Sequence, residues 1–240
     1  MEWFANWFDS PYYHLLYNKR NDDEAQLFMR NLTAHLAPVE HARIWDLACG
    51  KGRHSIYLAS LGYEVIGVDL SANSIKAARE HESEHLHFYE HDMRRAFYIN
   101  YFDYVFNLFT SFGYFKTERE HLQALQHAYN ALKPNGVFVM DFMNSVKVVN
   151  TLQPTHQEVR GDIVFDIQKV YENGKIIKTI KFSDAGQAYF YQEQVRAFTS
   201  DELAAMLTKV GFKVKALFGN YNLDAFDANT SDRTIIIVEK

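Results

Sequence analysis

Asp46-Leu47-Ala48-Cys49-Gly50-Lys51-Gly52-Arg53 continues a short apolar run that begins at Ile44. Residues 44–47 read as a strand, and residues 53–61 read as a helix that Gly62 is placed to end. Between them, two glycines let the backbone turn sharply and come close to a ligand. The first amides of the following helix then point at that ligand. Asp69 stands 19 residues beyond Gly50, at the end of the next apolar run, residues 65–68. An acid at that place accepts both hydroxyls of a ribose.

The same alternation extends outward. Residues 72–82 are a predicted helix capped by Ser71, and residues 86–89 and 102–108 are predicted strands. Residues 118–132 are a predicted helix, with Pro134 and Gly136 after it and a strand at 137–141. Strand and helix in strict alternation mean crossover units and a parallel sheet. The pattern changes near Ser145. Residues 163–171 and 175–182 read as strands flanking Asn173-Gly174, a strong hairpin signal, and residues 188–198 read as a third strand. Residues 146–196 are therefore expected to form an antiparallel insertion, with Ile163, Phe165, Ile167 and Ile180 on its apolar face. Thr199 or Ser200 then caps a helix reaching Val210, with Glu202 placed for a capping box and Gly211 after it. Strands at 213–218 and 234–238 complete the pattern.

Residues 1–37 have a different character. Trp3, Phe4, Trp7, Phe8, Tyr12, Tyr13 and Tyr17 recur at helical spacings, and a second helix starts at Asn21 or Asp22 and ends before Pro38. Few basic residues are interleaved with these aromatics, which argues against a membrane-surface helix. A helical lid is the expectation. The fold class is thus α/β. The main domain is expected at 38–145 and 197–240, with helices on both faces of its sheet.

Composition narrows the remaining classes. The chain has 240 residues, 48% of them hydrophobic, and a net charge of −5. That charge is a poor match to a nucleic-acid footprint. No apolar run is long enough for a membrane span, and no signal peptide is evident, so the cytoplasm is the expected compartment. Cys49 is the single cysteine, which excludes an internal disulfide, and its place in the glycine turn reads as structural. His81, His85, His87 and His91 straddle a helix–strand boundary and do not share a face, so no metal site is expected.

A glycine turn with a ribose acid also serves NAD. However, Ser55 occupies the position where the dinucleotide fingerprint wants a third glycine or alanine. Asp46 would be a poor neighbour for a pyrophosphate and suits a cationic amino group. The alternatives that stay open are a nicotinamide oxidoreductase and a cofactor-binding module without turnover.

In order and spacing these pieces resemble the class I S-adenosylmethionine-dependent methyltransferases. Residues 46–54 are similar to the glycine-rich first motif of that family, and Val68-Asp69-Leu70-Ser71 to the ribose-binding second. His91-Asp92-Met93 resembles the third motif, at the adenine, and Phe102-Asp103-Tyr104-Val105-Phe106-Asn107 the fourth. Leu132-Lys133-Pro134-Asn135-Gly136 resembles the turn before the fifth strand. A narrower likeness rests on Trp7-Phe8, Tyr13, Tyr17, Arg20, Ser111-Phe112-Gly113-Tyr114-Phe115, the hairpin insertion, Ser231 and Arg233. It is to bacterial aminosugar and glycine N-methyltransferases.

The resemblance implies a Rossmann-like seven-stranded sheet whose last strand is antiparallel, and an insertion that roofs the acceptor pocket. It implies S-adenosyl-L-methionine as cofactor and S-adenosyl-L-homocysteine as product. Asp46, Gly50, Gly52, Asp69, Leu70, Asp92, Met93 and Leu108 are the expected cofactor residues, with Tyr13 and Arg20 reaching the methionyl carboxylate. Tyr114 and Asp141 are the candidates for catalysis. Phe109, Asn144, Arg196 and Tyr221 are the candidates for the acceptor pocket. The expected reaction is methyl transfer to nitrogen or oxygen of a small molecule by in-line displacement. The chain is expected to act as a monomer or homodimer, without nucleic acid or membrane as partner.

Overall fold

The computed structural model describes residues 3–17 and 22–240. Two short helices open the chain, α1 (Trp3–Phe8) and α2 (Pro11–Leu16). Ser10 caps α2 by accepting the Tyr12 amide, and Pro11 starts it where no amide partner is needed. Helix α3 (Asp22–Leu36) follows, and its start adjoins residues outside the described set, so the expected Asn21 cap lies outside it too. Then come β1 (Arg43–Leu47), α4 (Arg53–Ser60), β2 (Glu64–Asp69), α5 (Ala72–Ala78), β3 (Leu86–Glu90), β4 (Phe102–Asn107), α6 (Glu118–Ala131) and β5 (Leu132–Met143). After β5 the chain forms α7 (Ser145–Asn150), β6 (Thr155–Arg160), β7 (Ile163–Glu172), β8 (Lys175–Asp184) and β9 (Gln187–Arg196). It ends in α8 (Ser200–Val210), β10 (Lys213–Phe218) and β11 (Arg233–Glu239).

The main sheet has seven strands in the order β10-β11-β5-β4-β1-β2-β3, with β11 antiparallel to both its neighbours. Its interior strands bury alternate side chains on opposite faces. Trp45, Val105 and Phe138 enter one apolar cluster with α6 and α8; Ile44, Phe106 and Val139 enter a second with α3, α4 and α5. That period of two is why these strands read as unbroken apolar runs. The order reverses between β1 and β4, which opens a crevice at their carboxyl ends.

Caps and turns follow the sequence closely. Ser71 accepts the Ser74 amide at the head of α5. Thr199 and Glu202 form a capping box on α8, and Gly211 ends it in a left-handed conformation. Asn173 and Gly174 both have positive φ, as the two-residue turn between β7 and β8 requires. Three local differences appear. Helix α5 gives way to a tighter turn at Arg79–His81. Strand β5 starts at Leu132, and its register against β4 shifts between Phe102 and Tyr104. The insertion also has a fourth strand, β6, whose Thr-His-Gln-Glu-Val-Arg sequence lacks the apolar alternation that marks a strand.

The second sheet, β6-β7-β8-β9, is fully antiparallel. Phe165, Ile167, Ile180 and Phe182 bury one face of it against Trp7 and Leu16 of the first two helices. Polar bonds pin the same interface. The Trp7 indole donates to Glu193 at 2.6 Å, the Tyr17 hydroxyl donates to Glu193 at 2.7 Å, and the Tyr12 hydroxyl donates to Asp184 at 2.8 Å. Replacing Glu193 by alanine leaves the buried Trp7 indole N–H without its acceptor, at a cost of about 1–3 kcal/mol. Limited proteolysis of Glu193→Ala is expected to cut within the first seventeen residues faster than in the parent chain. Equal cutting rates would show that Glu193 does not hold these helices.

Candidate active site

The crevice at the ends of β1, β2 and β4 holds a cavity of about 400 Å³. The turn after β1 contributes Asp46, Ala48, Cys49 and Gly50; the end of β2 contributes Asp69 and Leu70. Asp92 and Met93 follow β3, and Leu108, Phe109, Thr110 and Ser111 follow β4. The first two helices close the space with Phe4, Phe8, Tyr13, His14 and Tyr17.

Two carboxylates dominate its electrostatics. Asp46 is 1% exposed and accepts the Ser55 hydroxyl at 2.6 Å. Burial pushes it up to about 6, against the pull of that hydrogen bond. Asp69 takes the Gly50 amide on one oxygen and the Ser71 amide on the other, each at 2.8 Å. These bonds fix its plane, yet burial still holds its pKa above the usual carboxylate range. Among the described residues, neither acid has an ion-pair partner. Asp92 differs: burial pushes it up, but bonds from Arg94 prevail and hold it below its ordinary value. Arg94 also pairs with Glu120 on α6, at 3.0 Å.

The two glycines do different work. Gly50 (φ 58°) faces open space and donates to Asp69. Gly52 (φ 80°) packs on the Phe88 ring, which a side chain there would strike, so it seats α4 on β3 and does not line the cavity. Burial pushes the Cys49 thiol well up, consistent with a packing role.

Of the residues singled out from sequence, Tyr13, Asp46, Gly50, Asp69, Leu70, Asp92, Met93, Leu108, Phe109 and Tyr114 line the cavity. The structure does not bring Asp141, Asn144, Arg196 or Tyr221 to its wall. Asp141 is wholly buried and ion-paired to Arg233 at 2.7 Å. Tyr221 donates to Asp141 and lies between Phe28 and Phe109. Asn144 donates to the carbonyls of Ala228 and Ser231, tying down the loop before β11. Arg196 turns toward Asn173 and the hairpin tip. Arg20 lies outside the described residues. The Tyr114 hydroxyl donates to the Thr110 carbonyl at 2.7 Å and its ring meets Phe8 edge-on.

The insertion also stands differently from its expected place. No side chain of β6–β9 is among the cavity-lining residues. The second sheet backs the helices that close the cavity, and it touches the cavity loop at Gly113, whose carbonyl accepts the Arg196 amide. His14, Lys51, Arg53 and His54 also line the cavity, and Ser55 bonds Asp46, without any motif that assigns their side chains to a site. The signal for Ser55 was its departure from the dinucleotide pattern; His14 carried none beyond its aromatic neighbours.

Residues 44–136 match a family model described as a methyltransferase domain. The chain is 27% identical over 211 residues to the putative methyltransferase YqeM of Bacillus subtilis, covering 84% of this chain and 85% of that one. It is 27% identical over 221 residues to a glycine/sarcosine N-methyltransferase of Parasynechococcus marenigrum, covering 87% and 74%. A solved S-adenosylmethionine-dependent methyltransferase from Clostridium acetobutylicum superposes with a TM-score of 0.80 at 18% identity, over 98% of this chain and 97% of that one. The chain carries a methyltransferase domain, and its fold is that of solved S-adenosylmethionine-dependent methyltransferases.

The donor set of the methyltransferase fits that cofactor. Asp69 presents a fixed carboxylate for ribose hydroxyls, and Asp46 presents buried negative charge for an ammonium or sulfonium. Ser55, where a dinucleotide enzyme needs a minimal side chain, holds Asp46 instead. No described helix is long and apolar enough to cross a membrane.

The raised pKa of Asp46 has a stability consequence. Its folded value, about 6, exceeds the unfolded one, so its contribution is complete below the unfolded pKa and is lost as pH rises through 6. The loss is on the order of 3 kcal/mol. Asp46→Asn keeps an acceptor for Ser55 without the charge. Urea unfolding is expected to show this variant more stable than the parent at pH 8, with little difference at pH 4. A variant less stable at pH 8 would contradict the burial account.

Proposed function

We propose that this methyltransferase moves a methyl group to a nitrogen of a small-molecule acceptor, admitted beneath the first two helices. The observation that carries this reading is the wall facing Asp46 and Asp69. Phe8, Tyr13 and Tyr114 meet there in edge-on contacts of 5.0 and 5.2 Å. A cavity of about 400 Å³ is of small-molecule size, and aromatic faces favour a cationic or amine group. The glycine/sarcosine relative supports the same acceptor class.

S-adenosylmethionine supplies a methyl group already activated at a sulfonium. The protein then needs to align, exclude water and leave the acceptor nitrogen neutral. Asp69 and Leu70 hold the ribose side, Asp92 and Met93 the adenine side, and Asp46 the methionyl ammonium. Tyr114 serves as wall and not as base, because its hydroxyl is spent on the Thr110 carbonyl. An oxygen acceptor would need a base. Residues 3–17 act as the lid. Asp9 latches it by accepting the Ser71 hydroxyl at 2.6 Å, next to the ribose acid. Chemistry of this kind, with a lone buried thiol, suits the cytoplasm.

Three measurements test the reading. Saturating S-adenosylhomocysteine, at about 100 times its dissociation constant, is expected to stabilise the protein by roughly 2.7 kcal/mol, and NAD not at all. Asp69→Ala is expected to weaken that ligand about ten- to a hundred-fold while the chain stays folded. Mass spectrometry over an acceptor panel is expected to find products methylated on amines. Stabilisation by NAD alone would overturn the cofactor, and binding without any turnover would make the protein a non-catalytic module. Separately, removing residues 1–20 is expected to lower ligand affinity and turnover together; unchanged affinity would sink the lid.

A further inference from the structure

Phe109 and Thr110 leave β4 with φ of 55° and 61°, and both line the cavity. Two successive non-glycine residues in the left-handed region persist only where their surroundings over-determine them. Here one buried residue, Asp141, does so with both its carboxylate and its backbone. The Phe109 amide donates to Asp141 Oδ2 at 2.8 Å, and the Thr110 amide donates to the Asp141 backbone carbonyl at 2.9 Å. Arg233 Nε donates to Asp141 Oδ1 at 2.7 Å, while its Nη2 donates to Thr110 Oγ1 at 3.0 Å. The Met143 amide donates to that same hydroxyl, and the Tyr221 hydroxyl completes Asp141 at 3.2 Å.

The antiparallel last strand makes this bracket possible. It sets Arg233 opposite Met143 and Ile235 opposite Asp141, so the guanidinium reaches diagonally across β5. Burial, and then the charge of Asp141, push the Tyr221 phenol far up, which keeps it a donor. Its ring stacks on Phe109 at 5.2 Å. The side chains of Asp141, Arg233 and Tyr221 stay off the cavity wall, yet every one of them bears on Phe109 or Thr110.

We propose that Asp141 and Arg233 are positioning residues for methyl transfer. They lock the left-handed turn at Phe109 and Thr110 and thereby set the cavity wall that confines the cofactor. The inference rests on the cavity being the S-adenosylmethionine site. An ion pair kept for stability alone has no need to grip the amide of a strained turn, and could be replaced by apolar packing.

The test uses Arg233→Lys and Thr110→Val in the full chain. Lysine keeps a charge beside Asp141 but lacks the fork that spans Asp141 and Thr110. Valine keeps the β-branched shape of Thr110 and removes the shared hydroxyl. In the ligand-free protein, amide hydrogen exchange at Phe109 and Thr110 is expected to accelerate roughly ten-fold or more, with strand-interior amides such as Val105 and Val139 unchanged. Calorimetry is expected to show S-adenosylhomocysteine bound about ten-fold more weakly, and kcat is expected to fall in step. Unchanged exchange at the turn, or unchanged ligand affinity in a folded variant, would overturn the proposal. So would uniform acceleration of all amides, which marks a merely structural pair. Should Arg233→Lys not fold, Thr110→Val and Tyr221→Phe carry the same readouts. A parent protein that does not bind S-adenosylhomocysteine would overturn the cofactor assignment, and the proposal with it.

Discussion

Asp46 lies buried at the end of β1 and Asp69 half-buried at the end of β2, with no cation of the described chain ion-paired to either. Burying negative charge in this way is costly, and the protein offsets only part of the cost. The Ser55 hydroxyl donates to Asp46, and the Gly50 and Ser71 amides donate to Asp69. Both acids remain above the usual carboxylate range. The site is therefore built for something that brings positive charge and hydroxyl donors. A sulfonium, an ammonium and a ribose supply both. The glycine turn, the crevice at the strand reversal and the aromatic cover enclose the cavity in which the two acids stand.

That cover has two faces. Trp7, Tyr12 and Leu16 pack on the second sheet, Phe4 lines the cavity, and Phe8, Tyr13 and Tyr17 do both. The second sheet thus acts at one remove, as a rigid backing for two helices too short to stand alone. Asp9 ties the same helices to Ser71, whose amide holds Asp69. The cover and the acid at the end of β2 are joined through one serine.

Local signals carried most of the fold. The glycine turn, the Ser71 cap, the Thr199–Glu202 box and Asn173-Gly174 each sit within a few residues of the structure they dictate, so the sequence displays them directly. Strand β6 was hidden because it is an edge strand, with polar residues on both faces. The lining residues Asp46, Asp69, Asp92 and Tyr114 were legible because strand ends and motif order place them. Asp141 lay at the right strand end but points into the body of the protein, where Arg233, 92 residues away, claims it. Nothing local marks such a pair. Arg94 on Asp92 is the opposite case, a chelate between near neighbours that motif matching alone does not notice.

Asp46 is a buried, partly protonated acid that awaits a cationic ligand. The most direct test of this claim is the proton count on binding S-adenosylhomocysteine at pH 6, from calorimetry in buffers of differing ionisation enthalpy. Asp46, pushed up to about 6 in the free protein, is expected to ionise against the ligand's ammonium, releasing about half a proton. Asp46→Asn is expected to release markedly less. Binding with no proton release, or equal release by the variant, would contradict the claim.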